Sequence, residues 1–291
     1  MSVVDRLYVS DLDGTLLNRE GRISKSARES LVNMLEEGLL FTVASARSLI
    51  SMRERLGELP FRLPIIECNG AFISDYHSGA KRVIHALEPN TLRWLHQQCI
   101  ERDCIHFIST YDGERDRVLY DHRRNGGMDL YLSERYEAGD LRPTVTQDWS
   151  ELEAQAAVGV TLVGRQHELI QFQRECCHCP DRPLSHHLWE DSYAAGWFWL
   201  MIHAPEACKG RAALRVREDF IEGQPPLTVF GDQVNDLGLM RLADRRVAVA
   251  NACPEIITLA DVVLGHHDQD VVAHFLLKEW QERRTRPSSP G

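Results

Sequence analysis

Leu7-Tyr8-Val9-Ser10-Asp11-Leu12-Asp13-Gly14-Thr15-Leu16 decides how the rest of this 291-residue chain is read. A β-prone run, Leu7 to Val9, leads into two aspartates one residue apart, then a glycine and a threonine. Strand alternation sends Asp11 and Asp13 the same way while Leu12 points back into apolar packing. Gly14 ends the strand and permits a tight turn at positive φ. Two carboxylates crowded at a strand end repel each other, so a proton, a cation or both must compensate them. A hard dication such as Mg²⁺ takes oxygen ligands and keeps waters that a substrate can displace. The stretch is therefore a candidate metal-assisted reaction centre. The plainer alternative is a surface turn, where Asp and Gly are common.

Outward from this stretch, short apolar runs alternate with helical patterns. Ser24 stands as the cap of a helix whose apolar face is Leu31, Val32, Leu35 and Leu39, with Gly38 ending it. Leu39 to Ala44 reads as a second strand, stopping at Ser45-Ala46-Arg47. A helix over 48–56 and a strand over 64–68 follow, the latter ending at Asn69-Gly70. Residues 71–75 and 82–85 read as a hairpin turning at His77-Ser78-Gly79.

From about Leu87 the text becomes mixed. A helix over 90–102, strands over 105–109, 118–120, 158–163 and 197–203, and a helix over 168–175 are expected there, with Asn125-Gly126-Gly127 as a loop. This predicts an inserted α+β domain. The alternating rhythm then resumes with a helix from Lys209 and a strand, Leu227 to Phe230, running into Gly231-Asp232-Gln233-Val234-Asn235-Asp236. A helix through Leu237, Met240 and Leu242, strands over 247–250 and 261–264 and a last helix over 271–282 complete the chain.

Short parallel strands separated by helices make an α/β, doubly wound sheet, in which ligands bind beyond the carboxyl ends of the strands. Asp11/Asp13, Ser45/Arg47, Asn69 and Asp232/Asn235/Asp236 all fall just after strand candidates. Four chain-distant polar clusters at equivalent positions are hard to assign to chance turns.

Composition narrows the function classes. Hydrophobic residues at 43% and charged ones at 26% are ordinary for a soluble globular protein. A formal charge of −10, with no basic stripe interleaved with aromatics, argues against a nucleic-acid partner. The basic run Arg283-Arg284-Thr285-Arg286 reads as a solvated tail. No stretch approaches the ~18 apolar residues of a membrane span. The start of the sequence lacks the features of a signal peptide, which predicts a cytoplasmic protein with its eight cysteines as thiols. Cys176-Cys177-His178-Cys179 hints at zinc, but no second ligand pair completes a tetrahedral set; an ordinary loop is the plainer reading. Cys68, Cys99, Cys104, Cys208 and Cys253 read as small core residues.

Asp11-Leu12-Asp13-Gly14-Thr15, then Ser45, then Lys209-Gly210, then Gly231-Asp232-Gln233-Val234-Asn235-Asp236 resemble, in order, the four motifs of the haloacid dehalogenase-like hydrolases. The insertion resembles the C2 type of cap domain. Ala248-Val249-Ala250-Asn251-Ala252, with Ala260-Asp261 following, is similar to the Cof-like (IIB) sugar-phosphatase branch. The resemblance implies a catalytic core over 1–85 and 204–291 with a cap over 86–203.

It also implies Mg²⁺-dependent hydrolysis of a small phosphorylated metabolite, a sugar phosphate or similar, through an aspartyl-phosphate. By that resemblance Asp11 is the nucleophile and Asp13 the acid and then the base. Mg²⁺ is held by Asp11, the main-chain carbonyl of Asp13 and Asp232, with Asp236 and Asn235 orienting that shell. Ser45 and Lys209 hold the phosphoryl oxygens, and Arg47, Asn69 and Gly70 stand on the substrate's phosphate side. Each has a plainer reading: Ser45 a helix cap, Lys209 a solvated lysine, Asp232 a turn former, Asn235 and Asp236 caps of the next helix. The family's second motif commonly continues with glycine, whereas here Ala46 follows Ser45.

In the insertion, His122, Arg123, Arg124, His186, His187, Trp189, Glu190, Tyr193 and Trp197 are candidate contacts to the leaving group; packing against a sheet is the alternative, with Trp197, Trp199 and Leu200 on its face. A phosphomutase or phosphotransferase shares the Asp11/Asp13 chemistry, and a phosphate-sensing module without turnover is the reading from another class.

Overall fold

The computed structural model describes residues 6–137, 139–178, 182–190 and 194–285. Cys179, Tyr193, the first five residues and the tail from Arg286 lie outside the described residues. The chain divides into two compact units, Met1–Val83 with Cys208–Gly291, and Ile84–Ala207.

The first unit opens with β1 (Leu7–Ser10), α1 (Lys25–Glu36), β2 (Phe41–Val43), α2 (Leu49–Leu56), β3 (Ile65–Glu67), β4 (Phe72–Ser74) and β5 (Lys81–Ile84). In the second unit come α3 (Pro89–Glu101), β6 (His106–Tyr111), β7 (Asp116–Tyr120), α4 (Gly126–Glu137) and β8 (Pro143–Val145). β9 (Ala156–Gly164), α5 (Gln166–Phe172), β10 (Ser185–Glu190) and β11 (Phe198–His203) complete it. The chain then supplies α6 (Lys209–Phe220), β12 (Leu227–Gly231), α7 (Leu237–Leu242), β13 (Arg245–Ala248), α8 (Pro254–Leu259), β14 (Val262–Val263) and α9 (Val271–Thr285).

In the first unit the strand order is β14-β13-β12-β1-β2, all parallel. A parallel bridge from Ala44 to Ile66 links β2 to β3, which forms a separate three-stranded sheet with β4 and β5. Alternation along β1 fixes the layers. Leu7 and Val9 join Ala212, Val216 and Met240 of α6 and α7 on one face, while Tyr8 joins Leu31, Met34 and Leu276 of α1 and α9 on the other. This is the expected doubly wound α/β sheet, buried on both faces as parallel sheets require. Helix α1 begins where Ser24 Oγ accepts from Ala27 N–H at 3.2 Å and is followed by Gly38 at φ +102°.

The second unit is a six-stranded sheet, β10-β11-β9-β6-β7-β8, antiparallel except for the β7–β8 pair. Leu162, Leu200 and Ile202 pack with residues of α3 and α5 on one face, and Phe107, Val163 and Trp199 with residues of α4 on the other. Trp199 and Leu200 are thus both packed, but on opposite faces.

Several local expectations fail here. Asn125-Gly126-Gly127 is a helix start, not a loop: Asn125 Oδ1 accepts from Met128 N–H at 2.9 Å. Glycine is needed at 127 because a Cβ there would lie 2.8 Å from Trp197 and Val163 side-chain atoms. The sequence reading also passed over β8 and β10. Cys99 is buried in the core, Cys104 and Cys253 are partly buried against it, and Cys68 and Cys208 are partly exposed. Cys176 and Cys177 are buried in the apolar cluster under α3 and α5, and burial pushes the Cys177 thiol up to about 12. No metal-holding group forms around them among the described residues.

Candidate active site

Every candidate site residue outside the insertion falls in the first unit: Asp11, Ser45, Asn69 and Asp232 come just after β1, β2, β3 and β12, and Lys209 opens α6. Asp11 follows β1 directly and is 5% exposed; its N–H donates to the Phe230 carbonyl at 3.0 Å. The chain then turns through Asp13 and Gly14, the latter at φ +78°. A Cβ at Gly14 would collide with the Asp232 carboxylate, so glycine is required for both its φ and its neighbour.

Lys209, the first residue of α6, is fully buried between two carboxylates. Its Nζ donates to Asp11 Oδ1 at 2.6 Å and to Asp236 Oδ1 at 2.7 Å. The second Asp236 oxygen accepts from the N–H groups of Asp232 and Gln233 at 3.0 and 3.2 Å. Asp236 is therefore committed on both oxygens, holding Lys209 and the loop after β12. Asp232 Oδ1 accepts from Thr15 Oγ1 at 3.0 Å.

Asp11, Asp232 and Asp236 present carboxylate oxygens within 4.8 Å of one another. Burial raises the Asp11 carboxyl well above its ordinary value; Lys209 opposes this, and the Asp236 and Asp232 charges add to it. Burial, then Asp236, pushes Asp232 up to about 6. Burial disfavours the Lys209 ammonium, but Asp11 and Asp236 outweigh it and hold the group charged. Three buried carboxylates around one ammonium leave negative charge uncompensated. An oxygen-only donor set of this kind fits a hard divalent cation.

Asp13 is set apart from this trio. Its carboxylate is 48% exposed and meets the Arg47 guanidinium on two prongs, Nε to Oδ2 at 2.6 Å and Nη2 to Oδ1 at 2.8 Å. Arg47 Nη1 also donates to Ser51 Oγ at 2.8 Å. Ser45 is 1% exposed, and its hydroxyl accepts from Arg47 N–H at 3.1 Å. It does not cap α2, which starts after Ser48. Asn69 is buried at φ +55°, and its Oδ1 accepts from Asn235 Nδ2 at 3.3 Å. Gly70, at φ +96°, lies where a Cβ would come within 2.8 Å of the Cys208 backbone, which brings this loop against the start of α6.

Thus Asp11, Lys209, Asp232 and Asp236 form one cluster, Asp13, Arg47 and Ser45 a second, and Asn69 and Asn235 a pair. Thr15 and Asn251 belong to the same surroundings, through Asp232 and the Gly14 carbonyl, and were given no role from sequence. Thr15 stood in the opening stretch; its burial at 1% exposure is what marks it, and sequence does not carry that.

The family profile described as haloacid dehalogenase-like hydrolase matches residues 8–276. The chain belongs to that family. Within the haloacid dehalogenase-like hydrolases it is similar to pyridoxal phosphate phosphatase YbhA of Escherichia coli, 27% identical over 276 residues, 93% of this chain and 97% of the relative. Its fold is similar to that of a haloacid dehalogenase-like hydrolase from Bacteroides thetaiotaomicron, at a TM-score of 0.74 and 23% identity over 94% of this chain and 99% of the other. It is also similar in fold to BT4131, a subclass IIB sugar phosphatase of the same superfamily, at a TM-score of 0.70 and 18% identity over 95% and 99% of the two chains. The resemblance to the haloacid dehalogenase-like hydrolases read from the motifs agrees with the family match. The expected enzyme class, a phosphoric monoester hydrolase, is also the class of the pyridoxal phosphate relative.

In the second unit, several candidate contacts are engaged elsewhere. Arg123 pairs with Asp121 and Asp103, Arg124 with Asp129, and His186 with Gln173. Trp189 stands opposite Trp199 across the β10–β11 pair. No helix among the described residues is long and apolar enough to cross a membrane.

Proposed function

We propose that this hydrolase is a Mg²⁺-dependent phosphatase that cleaves a small phosphorylated metabolite through an aspartyl-phosphate on Asp11. The observation that carries the reading is the buried cluster of Asp11, Lys209, Asp232 and Asp236 at the ends of β1 and β12. Asp11 attacks phosphorus, forming the acyl-phosphate bond as the ester oxygen departs. Lys209, held by Asp236, stands against the Asp11 carboxylate, where it offsets the meeting of two anions and stabilises charge on the phosphoryl oxygens. Asp13, released from Arg47 and protonated from solvent, gives that proton to the departing alkoxide and later takes one from the water that hydrolyses the acyl-phosphate. Its first act leaves it in the state the second requires.

Arg47 donates to both oxygens of Asp13, so Asp13 must leave at least one prong before it can serve the leaving group. Ser45, Asn69, Gly70 and Asn235 line the phosphate side in this reading. Asp11, Asp232 and the Asp13 carbonyl would hold a divalent cation, with Asp236 orienting them, and the ion would supply Lewis acidity and a template for the phosphate. We read the Ile84–Ala207 unit as the C2-type cap that recognises the part of the substrate beyond the phosphate. The names of the relatives, a pyridoxal phosphate phosphatase and a sugar phosphatase, support a small phosphomonoester as substrate. Such esters are charged and do not cross a bilayer unaided, which supports a cytoplasmic site of action.

Phosphate release from a panel of phosphorylated metabolites, with Mg²⁺ or with EDTA, tests the reading. Mg²⁺-dependent release of inorganic phosphate is expected. Transfer of the phosphoryl group to a second hydroxyl, without free phosphate, points to a phosphotransferase instead, and binding without turnover points to a sensor.

A further inference from the structure

The loop that follows the reactive strand is tied down from behind. Asn251, three residues after β13, donates from Nδ2 to the Gly14 carbonyl at 2.7 Å, and its Oδ1 accepts from His267 N–H at 3.1 Å. One partner accepts and the other donates, which fixes the orientation of the amide. His267 Nδ1 lies 2.6 Å from the Leu17 carbonyl; a carbonyl can only accept, so Nδ1 carries the proton. One residue further, Asp268 accepts from Arg19 N–H and Nε, each at 2.7 Å.

Gly14, Leu17 and Arg19 are therefore each fastened to the segment between Asn251 and Asp268. His266, His267 and Asp268 bring possible metal-ligand atoms within 4.8 Å of one another. However, Arg19 already holds Asp268, and Leu17 already holds His267 Nδ1. These contacts make the cluster a fastening for the loop.

The fastened loop is the one whose conformation matters most. Gly14 is left-handed and pressed against Asp232, and Asp13 just before it is extended, at φ −74° and ψ 121°. Glycine enters that region at no steric cost and imposes no direction of its own, so the path of this turn depends on what holds its flanking carbonyls. We propose that Asn251 and His267 are positioning residues: they fix the Gly14 and Leu17 carbonyls, and through that backbone the direction in which Asp13 stands relative to Asp11. This rests on the reading of Asp11 and Asp13 given above. Neither Asn251 nor His267 is bonded to either carboxylate. Their effect is on the geometry of the chemical step, where a displacement of about 1 Å costs on the order of 100-fold.

The test uses the full chain and p-nitrophenyl phosphate with Mg²⁺. Asn251→Asp keeps the acceptor for His267 N–H but sets an oxygen against the Gly14 carbonyl. His267→Asn puts an amide nitrogen near the place of Nδ1, whereas His267→Gln puts it near the place of Nε2. Asn251→Asp and His267→Gln are expected to lower kcat by about 10- to 100-fold with KM changed by less than about threefold, and His267→Asn to restore most of the rate. Amide hydrogen exchange over Leu12–Arg19 is expected to quicken in the two impaired variants.

Unchanged exchange in both impaired variants overturns the proposal, and so does faster exchange with kcat untouched. A wild type that releases no phosphate overturns the reading of the site itself. Exchange in Asn251→Asp and His267→Gln then still decides whether these two residues hold the loop.

Discussion

Arg47 and Asp13 form a fork-to-fork pair, two nitrogens of one guanidinium against two oxygens of one carboxylate, across 34 residues of sequence. The residue read as acid and base is thus held by a residue read as facing the phosphate. An incoming dianionic phosphate competes with Asp13 for the same donors, and a bidentate Arg serves either partner equally well.

Arg47→Ala removes that competition together with the phosphate-side donors. Hydrogen bonds to charged groups contribute about 1.5–3 kcal/mol each, so kcat/KM is expected to fall by at least about tenfold. Arg47→Lys keeps the charge but loses the fork and should recover only part of the loss. Steady-state kinetics on one substrate measures both; wild-type kcat/KM in Arg47→Ala would remove Arg47 from the site.

Lys209 is the buried cation between Asp11 and Asp236, and replacing it strands both carboxylates. Lys209→Met is expected to destabilise the protein by about 3–5 kcal/mol in urea unfolding at neutral pH, besides abolishing turnover. Asp11 loses its opposing charge in this variant and is already raised by burial. Protonation therefore relieves part of the loss, and the deficit should shrink between pH 7 and pH 5. A deficit that grows on acidification would contradict the assignment.

The acidic cluster also sets a pH dependence in the absence of metal. Asp232 sits at about 6 in the folded protein against an ordinary 3.8. For an acid raised on folding, the contribution is fully present below 3.8 and is lost as pH rises through 6. A shift of this size corresponds to a loss of about 1–3 kcal/mol. In EDTA, Asp232→Asn should therefore be the more stable protein at pH 7.5, with its advantage vanishing near pH 4. Saturating Mg²⁺ should reverse the order, because only the wild type gains the binding energy.

The comparison must be between the two proteins and not along one curve. His106 is held down at about 4 by burial, and burial lowers His203 as well. For these bases stability is present above 6.5 and lost as pH falls, the opposite sign over an overlapping range. Their effect is common to both proteins and cancels in the difference.

The layers and the strand-end placement of the site were legible because they follow from short-range rules. Leu7, Tyr8 and Val9 alternate between two cores, and Gly14 and Gly38 sit at positive φ where the chain must turn. What escaped were features decided by distant partners. Gly126 and Gly127 look like a loop until Trp197, 70 residues on from Gly127, is seen packing where their side chains would be. His186 to Glu190 has no clean alternation, so β10 was invisible until Phe198–His203 paired with it. In the site, Lys209 was placed by motif, but its double pairing with Asp11 and Asp236 is a three-dimensional fact. The same holds for the Asn251 contact to Gly14, which joins residues 237 apart in sequence.

The measurement that bears most directly on the central claim is the rate of phosphate release by Asp11→Asn beside the wild type, under saturating Mg²⁺, with both shown to be folded. If Asp11 carries the phosphoryl group, the variant should lose about 10²–10⁴-fold or more in kcat. A folded Asp11→Asn protein that keeps more than about a hundredth of the wild-type rate would contradict the aspartyl-phosphate route.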